Sequence, residues 1–351
     1  MSERQYDMAV FIGRMQPLHH GHIRNIKHAL TIADHVLVVA GSANQPRTPK
    51  NPFTVAERTN MIEGLFPTDR VTVVGVEDYY PDALWLKNVQ TVAHTHLINL
   101  GFEIFDANVA ILGHKKDHTS FYLEQFPTWD FIEIGHRVRA NHEKILDASI
   151  IREHYLAGEF EEIINDVPAE VLAFLDKFSN TVNYKVLVEE QDYIHRYHKE
   201  WEAAPYPPTF VTTDAIVIQS GHVLLVKRRV APGKGLWALP GGFVNQYERL
   251  EDGVIRELRE ETKLKIAART LKNNVKHFEV FDAPHRSLRG RTITNAYLID
   301  LGTAPKLPKV KGDDDAEEAR WFPLDIVDAM GSVLFEDHKS IIQTMSAKMT
   351  D

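Results

Sequence analysis

The sequence predicts an α/β protein of two differently built domains, the first a mainly parallel, doubly wound sheet. Three observations predict it. Short apolar runs alternate with helical stretches through the first half. A proline-rich break, Ala204–Pro208, follows a long charged helical region. Beyond the break, strands follow one another around a single strong helix. The length of 351 residues also suits two domains, at about 150 residues each.

In order, Met8–Gly13 (MAVFIG) reads as a buried strand ending in a turn, and His22–Ala33 as a helix. His35–Ala43, Val71–Val76, Ala107–Gly113 and Phe131–Gly135 repeat the strand pattern. Thr54–Leu65 and Asp82–Asn99 are the intervening helices. Ligands of such sheets sit at the carboxyl ends of the strands. A charged helical stretch runs from Ala148 to about Ala203. We therefore expect a first domain over 1–185, a helical and proline-rich linker over 186–208, and a second domain over 209–351. In the second, Thr212–Arg228 reads as two strands joined at Ser220-Gly221 and Arg291–Leu301 as another strand. Lys311–Arg320 reads as a charged loop.

Composition narrows the function. The chain is 44% hydrophobic and 25% charged, enough apolar material for two cores. Cysteine is absent, which excludes disulfides, thiolate metal sites and a thiol nucleophile. The net charge of −9 lacks the basic footprint of a nucleic-acid binder. The polar opening MSERQYD precedes no long apolar run, and no stretch approaches the roughly 20 apolar residues of a membrane span. A cytoplasmic protein is expected, with neither nucleic acid nor membrane as partner.

The first chemical constellation is Gly13-Arg14-Met15-Gln16-Pro17-Leu18-His19-His20-Gly21-His22, directly after the first strand. Gly13 allows a tight turn and Gly21 a close approach of phosphate to backbone. A helix starting near Gly21 offers free N–H groups and a favourable dipole to an anion. His19 and His22 are placed to donate to phosphate oxygens, and Arg14 adds a planar cationic fork. A solvated histidine loop is one alternative. A zinc site is another, disfavoured because no carboxylate lies beside the histidines.

The second constellation is Gly242–Leu264, GFVNQYERLEDGVIRELREETKL. Glu257, Glu260 and Glu261 are spaced i, i+3, i+4, so a helix projects them from one face. Such a cluster needs a hard cation, and Mg²⁺ or Mn²⁺ suits oxygen ligands. Val254 and Leu258 would anchor the opposite side. The LPGG turn at Leu239–Gly242 could bring the Gly242 carbonyl to the same ion.

HxGH after a first strand resembles the hallmark of the nucleotidyltransferase superfamily, and GRMQPxHxGH resembles archaeal-type nicotinamide mononucleotide (NMN) adenylyltransferases. Gly41-Ser42-Ala43, Asn51-Pro52-Phe53-Thr54 with Glu57 and Arg58, Asp78–Trp85 and Asp147–Arg152 continue the likeness in order. It implies a Rossmann-like domain that binds ATP and NMN. His19 and His22 would stabilise the transition state at the phosphates, with Arg152 and Arg14 gripping them. Gly13, Gly21, Ser42 and Ser149 would line the substrates, Trp85 would stack on the nicotinamide, and Asp78 and Asp82 would bind polar groups of NMN. DASIIR departs from the usual SGTxxR-like form, and Asp82 stands where an amide is usual.

Gly242, Glu248, Arg256, Glu257, Glu260 and Glu261 fall in the register of the Nudix box, so the second domain resembles Nudix hydrolases, an α/β/α sandwich. The resemblance implies Gly242, Glu257, Glu260 and Glu261 as metal ligands, Glu257 and Glu261 as catalytic, and Arg256 as orienting Glu248. Lys263 replaces the box glycine, whose left-handed turn costs a lysine on the order of 1 kcal/mol. The fusion resembles bifunctional NMN adenylyltransferase/Nudix hydrolases, which implies ADP-ribose as the second substrate and a homo-oligomer as the assembly. NADH, a diadenosine polyphosphate, or a non-hydrolysing sensor role remain alternatives; the intact carboxylates argue against the last.

Overall fold

The computed structural model describes residues 4–115, 118–135 and 146–349. The chain forms two units, Met1–Val188 and Glu189–Asp351. Of the linker expected over 186–208, residues 189–208 fall within the second unit.

The first unit runs β1 (Tyr6–Gly13), α1 (His20–Ile32), β2 (Ala33–Ala40), α2 (Val55–Glu63), β3 (Val71–Gly75), α3 (Asp82–Asn99), β4 (Val109–Gly113) and β5 (Asp130–Glu133). Helices α4 (Ala148–Leu156), α5 (Ala169–Ser179) and α6 (Val182–Glu200) follow, α6 crossing the division. The long helical stretch expected there is thus three helices. Gly158, at φ +79°, follows the first, and Pro168 caps the second. The five strands are all parallel in the order β3-β2-β1-β4-β5. Side-chain alternation divides β1 between two cores. Ala9 and Phe11 join a cluster with Ile26, Ile151 and Tyr155; Met8 and Val10 join one with Val89, Ala93 and Leu97. Both faces of the sheet are therefore buried, as its near-continuous apolar strands require. The order reverses beside β1, so the crevice opens where β1 ends, at Gly13.

The second unit contains β6 (Thr209–Gln219), β7 (His222–Arg228), β8 (Trp237–Ala238), β9 (Gly241–Phe243), α7 (Leu250–Thr262), α8 (Ala268–Asn273), β10 (Val275–Phe281), β11 (Arg291–Asp300), β12 (Ala316–Pro323) and α9 (His338–Ala347). Its sheet is mixed: β11 and β6 are parallel and the other neighbours antiparallel. The turn between β6 and β7 falls at Ser220 and Gly221, both at positive φ as a two-residue hairpin demands. Residues 316–323, the first five of which were expected as charged loop, form β12. Ala316 and Ala319 are buried there while Glu317 and Arg320 face solvent, so small apolar side chains anchor a strand that its charges disguise. Ala215, Val217, Val254 and Leu258 share one core, which fixes α7 on the sheet, and Glu261 on the same helix is buried as well. Ile216, Ile218 and Leu298, on the other face, are buried as well.

Candidate active sites

The first site is built at the end of β1. His19 is the N-cap of α1, and its Nδ1 accepts the Gly21 N–H at 3.1 Å. His22 Nδ1 accepts the His19 N–H at 3.4 Å. The two rings stack with centroids 3.7 Å apart. Burial pushes His22 down to about 4 and, with the His22 charge, holds His19 well below the usual histidine range. Nearby Asp147 opposes both shifts without reversing them. Both rings are therefore neutral, and with Nδ1 accepting, the proton sits on Nε2. The pair consists of two uncharged Nε2–H donors.

This corrects the expected anion hole. The His20 N–H donates to the Asp166 carbonyl at 3.0 Å and the Gly21 N–H to His19, so these two helix-start donors are already used. Gly21 serves the ring: a Cβ there would lie 2.9 Å from His19 Cε1. A Cβ on Gly13 would lie 2.9 Å from Met15 Sδ.

Arg152 is 7% exposed and, instead of projecting into solvent, donates Nη1 to the Gln16 carbonyl at 2.7 Å and Nη2 to Ser149 Oγ at 3.1 Å. Burial and the Arg14 charge lower it to about 10. Asp147 caps α4 by accepting the Ser149 N–H at 2.7 Å. Arg14 itself is exposed. Arg58, noted in sequence only as part of a block, is 1% exposed and ties the loops together. Its Nη1 donates to the carbonyls of Arg14 and Gly41, both at 2.7 Å. Ser42 follows at φ +50°. The Gln16 side chain pairs with both backbone polar groups of Phe53, at 2.8 and 2.9 Å. The only sequence signal for these braces was their position inside the motif blocks.

Gly13, Arg14, His19, Gly21, His22, Ser42, Ser149 and Arg152 are thus linked through shared hydrogen bonds and loops. Trp85 is not part of that network. It packs edge-on against Tyr122, centroids 5.4 Å apart, beside the second core. Asp78 and Asp82 are exposed; the charge of Asp78 reaches buried Arg58.

The second site lies on α7. Arg256 grips Glu248 with Nε and Nη2 at 2.8 and 2.9 Å, the expected orienting pair. Its Nη1 also reaches Glu257 at 2.7 Å and Glu260 at 3.0 Å, contacts the spacing did not announce. Glu261 turns the other way and accepts the Gly241 N–H at 3.0 Å. The expected convergence of three carboxylates is not seen: among the described residues no three His, Cys, Asp or Glu are grouped to hold a metal ion. The donor set nevertheless fits a hard divalent cation. One nitrogen bridges Glu257 and Glu260, so both carboxylates already approach a single positive charge. Burial raises Glu257 in spite of the Arg256 contact, and burial with the Glu257 charge raises Glu261 to about 8, so the positive charge present does not offset their burial. A Cβ on Gly242 would lie 2.7 Å from the Glu257 carboxylate, so glycine is required for that approach. Lys263 adopts φ +50°, the left-handed cap the box glycine would supply, and pairs with Asp313 at 2.6 Å.

A pocket beside the box is lined by Asp214, Arg228, Arg286, Arg289, Glu336 and His338 among others. Sequence reasoning missed all six. They come from β6, β7, the start of α9 and two loops, and no spacing links them. Phe243 contacts Phe210 and lies under Arg289, while Trp237 contacts Phe322 and lies under Arg320.

Comparison with known proteins finds matches for both halves of the chain. Residues 10–204 match the Cytidylyltransferase-like family, and residues 208–344 match the NUDIX domain. The chain is 33% identical over 189 residues to the nicotinamide/nicotinic acid mononucleotide adenylyltransferase of Acinetobacter baylyi, covering 53% of this chain and 94% of that protein. It is 35% identical over 133 residues to the ADP-ribose pyrophosphatase of Methanocaldococcus jannaschii, covering 38% of this chain and 70% of that protein. A crystal structure of a bifunctional NMN adenylyltransferase/ADP ribose pyrophosphatase from Francisella tularensis, complexed with AMP and Mn ion, superposes with a TM-score of 0.87 at 33% identity. That match covers 98% of this chain and 99% of the other. With one family spanning more than half its length and a relative aligned along nearly all of it, the chain belongs to the Cytidylyltransferase-like family and, as a two-domain protein, to the bifunctional NMN adenylyltransferase/ADP ribose pyrophosphatases.

Proposed function

We propose that the first domain transfers AMP from ATP to NMN, giving NAD and pyrophosphate, and that the second hydrolyses ADP-ribose to AMP and ribose 5-phosphate. The observation that carries this reading is the pairing, on one chain of this family, of a desolvated histidine pair at the first strand–helix turn with a helix that keeps every charged position of the box.

In the first reaction the NMN phosphate oxygen attacks the α-phosphorus of ATP, and the bond to the bridging oxygen of pyrophosphate breaks. No covalent enzyme intermediate is needed, so positioning and charge stabilisation suffice. His19 and His22 supply uncharged donors, which stabilise developing oxygen charge without having to lose a proton first. Arg152 and Arg58 hold the loop carbonyls of Gln16 and Arg14, and so hold the His19 loop in place. Arg14 is the exposed cation available to the phosphates. Trp85, Asp78 and Asp82 remain the proposed NMN-binding residues.

In the second reaction a water oxygen attacks one phosphorus of the diphosphate, and the bridging P–O bond breaks. Glu257, Glu260, Glu261 and the Gly242 carbonyl would hold Mg²⁺ or Mn²⁺. A bound divalent ion polarises the diphosphate and eases deprotonation of water. Arg256 keeps Glu248 and the helix carboxylates in register. We place both activities in the cytoplasm, on small molecules, in a homo-oligomer.

The test is a substrate panel on the intact protein with Mg²⁺ and with Mn²⁺, ranked by kcat/KM, containing ADP-ribose, NAD, NADH, diadenosine polyphosphates and nucleoside triphosphates. ADP-ribose should lead. A different leader would keep the hydrolase and change its substrate; binding of ADP-ribose without turnover would make the second domain a sensor.

A further inference from the structure

The sheet of the second unit has two edges, and they are finished differently. β12 ends one side and β10 the other. An open edge invites pairing with another strand, and proteins guard such edges with charge or proline. β12 follows that rule: its exposed residues are Glu317 and Arg320, and it ends at Pro323. β10 does not. Its exposed residues are Lys276, Phe278 and Val280, so charge guards only the start of the strand. Phe278 is 60% exposed and Val280 48%. Phe278 stacks on Tyr297 of the neighbouring strand, centroids 5.9 Å apart, which holds its ring against the sheet.

The edge itself is regular. After a bulge between Val275 and His277, β10 keeps unbroken register with β11 as far as Phe281. Among the described residues no strand pairs with its outer side. Every second peptide group there points away from β11.

The residues of the edge say which strand fits it. His277 and Glu279 lie on the face opposite Phe278, Nε2 to Oε2 3.5 Å. An antiparallel strand of the same sequence, centred on Phe278, brings Phe278 against the partner's Phe278. The same register sets His277 against the partner's Glu279, and Glu279 against the partner's His277. An imidazole N–H donates to a carboxylate whether or not the ring is charged, so both cross-strand pairs are favourable. The edge is therefore its own complement in shape and charge. A twofold contact of this kind closes at two copies.

We infer that β10 is the interface between two copies of this chain, joined edge to edge in antiparallel pairing centred on Phe278. The inference deepens the homo-oligomer reading and rests on it, but on neither activity. It makes the assembly a dimer with one sheet continuous across the twofold axis.

The experiment is sedimentation equilibrium on the full-length protein over a concentration series. Wild type should sediment at twice the chain mass. Phe278→Glu sets two carboxylates against each other on the axis and should raise the dimer Kd about 100-fold. His277→Glu sets four carboxylates around the axis and should raise it about tenfold. Adding Glu279→Lys to His277→Glu restores alternating charge and should return Kd to within about threefold of wild type. Melting curves check that each variant is folded. A monomeric wild type would overturn the interface together with the homo-oligomer reading, and would leave the edge to a strand of another protein. A wild-type dimer that Phe278→Glu leaves intact would overturn the interface alone. A double variant no tighter than His277→Glu would overturn the register, and with it the pairing.

Discussion

The two sites solve the same problem, binding phosphate chains, with opposite electrostatics. At the first, burial strips charge from His19 and His22, and the surrounding polar groups satisfy one another. At the second, burial crowds negative charge, and Arg256 alone is shared among Glu248, Glu257 and Glu260. The first site can therefore act through fixed neutral donors, whereas the second calls for a cation. Each site should also fail alone.

The largest expected effect breaks the comparison directly. Glu257→Gln should lower ADP-ribose hydrolysis on the order of 10²–10³-fold while leaving NAD synthesis within about twofold. His22→Ala should do the reverse, lowering NAD synthesis by a similar factor. Steady-state assays of both reactions on both variants check this; a joint loss in either variant would show that the sites are not independent.

The smallest expected effect concerns the box position that departs from its pattern. Lys263 holds a left-handed conformation at a cost of about 1 kcal/mol, offset in part by its exposed pair with Asp313. Lys263→Gly should therefore raise unfolding stability by up to about 1 kcal/mol and leave kcat/KM for ADP-ribose unchanged. Chemical denaturation measures the first and initial rates the second. A large rate change would make Lys263 part of the substrate site.

Much of this was legible in sequence because it depended on local periodicity. The alternating strands, the Ser220-Gly221 hairpin and the α7 register follow from spacing alone, as does the burial of Val254 and Leu258. Three things were not legible. Strand β12 hides its apolar face behind Glu317, Glu318 and Arg320. The use of the Gly21 and His20 N–H groups depends on His19 and on distant Asp166. The arginine and Glu336 pocket is assembled from segments far apart in the chain, and only the fold brings them together. The edge-on contact of Trp85 with Tyr122 is likewise set by the fold and not by any spacing in the sequence.

Burial keeps the histidine pair neutral, and this couples folding to pH with a definite sign. Because the folded-state value of His22, about 4, lies below the ordinary 6.5, protonation favours the unfolded chain. The stability contributed by the neutral ring is present above about pH 6.5 and is lost as pH falls toward 4. The direct measurement is an NMR titration of the imidazoles in the nucleotide-free protein, with signals assigned by loss in His19→Ala and His22→Ala. Both rings should remain neutral, with the proton on Nε2, down to pH 5. A midpoint at or above 6.5 for either ring would contradict it and make the site a cationic phosphate clamp.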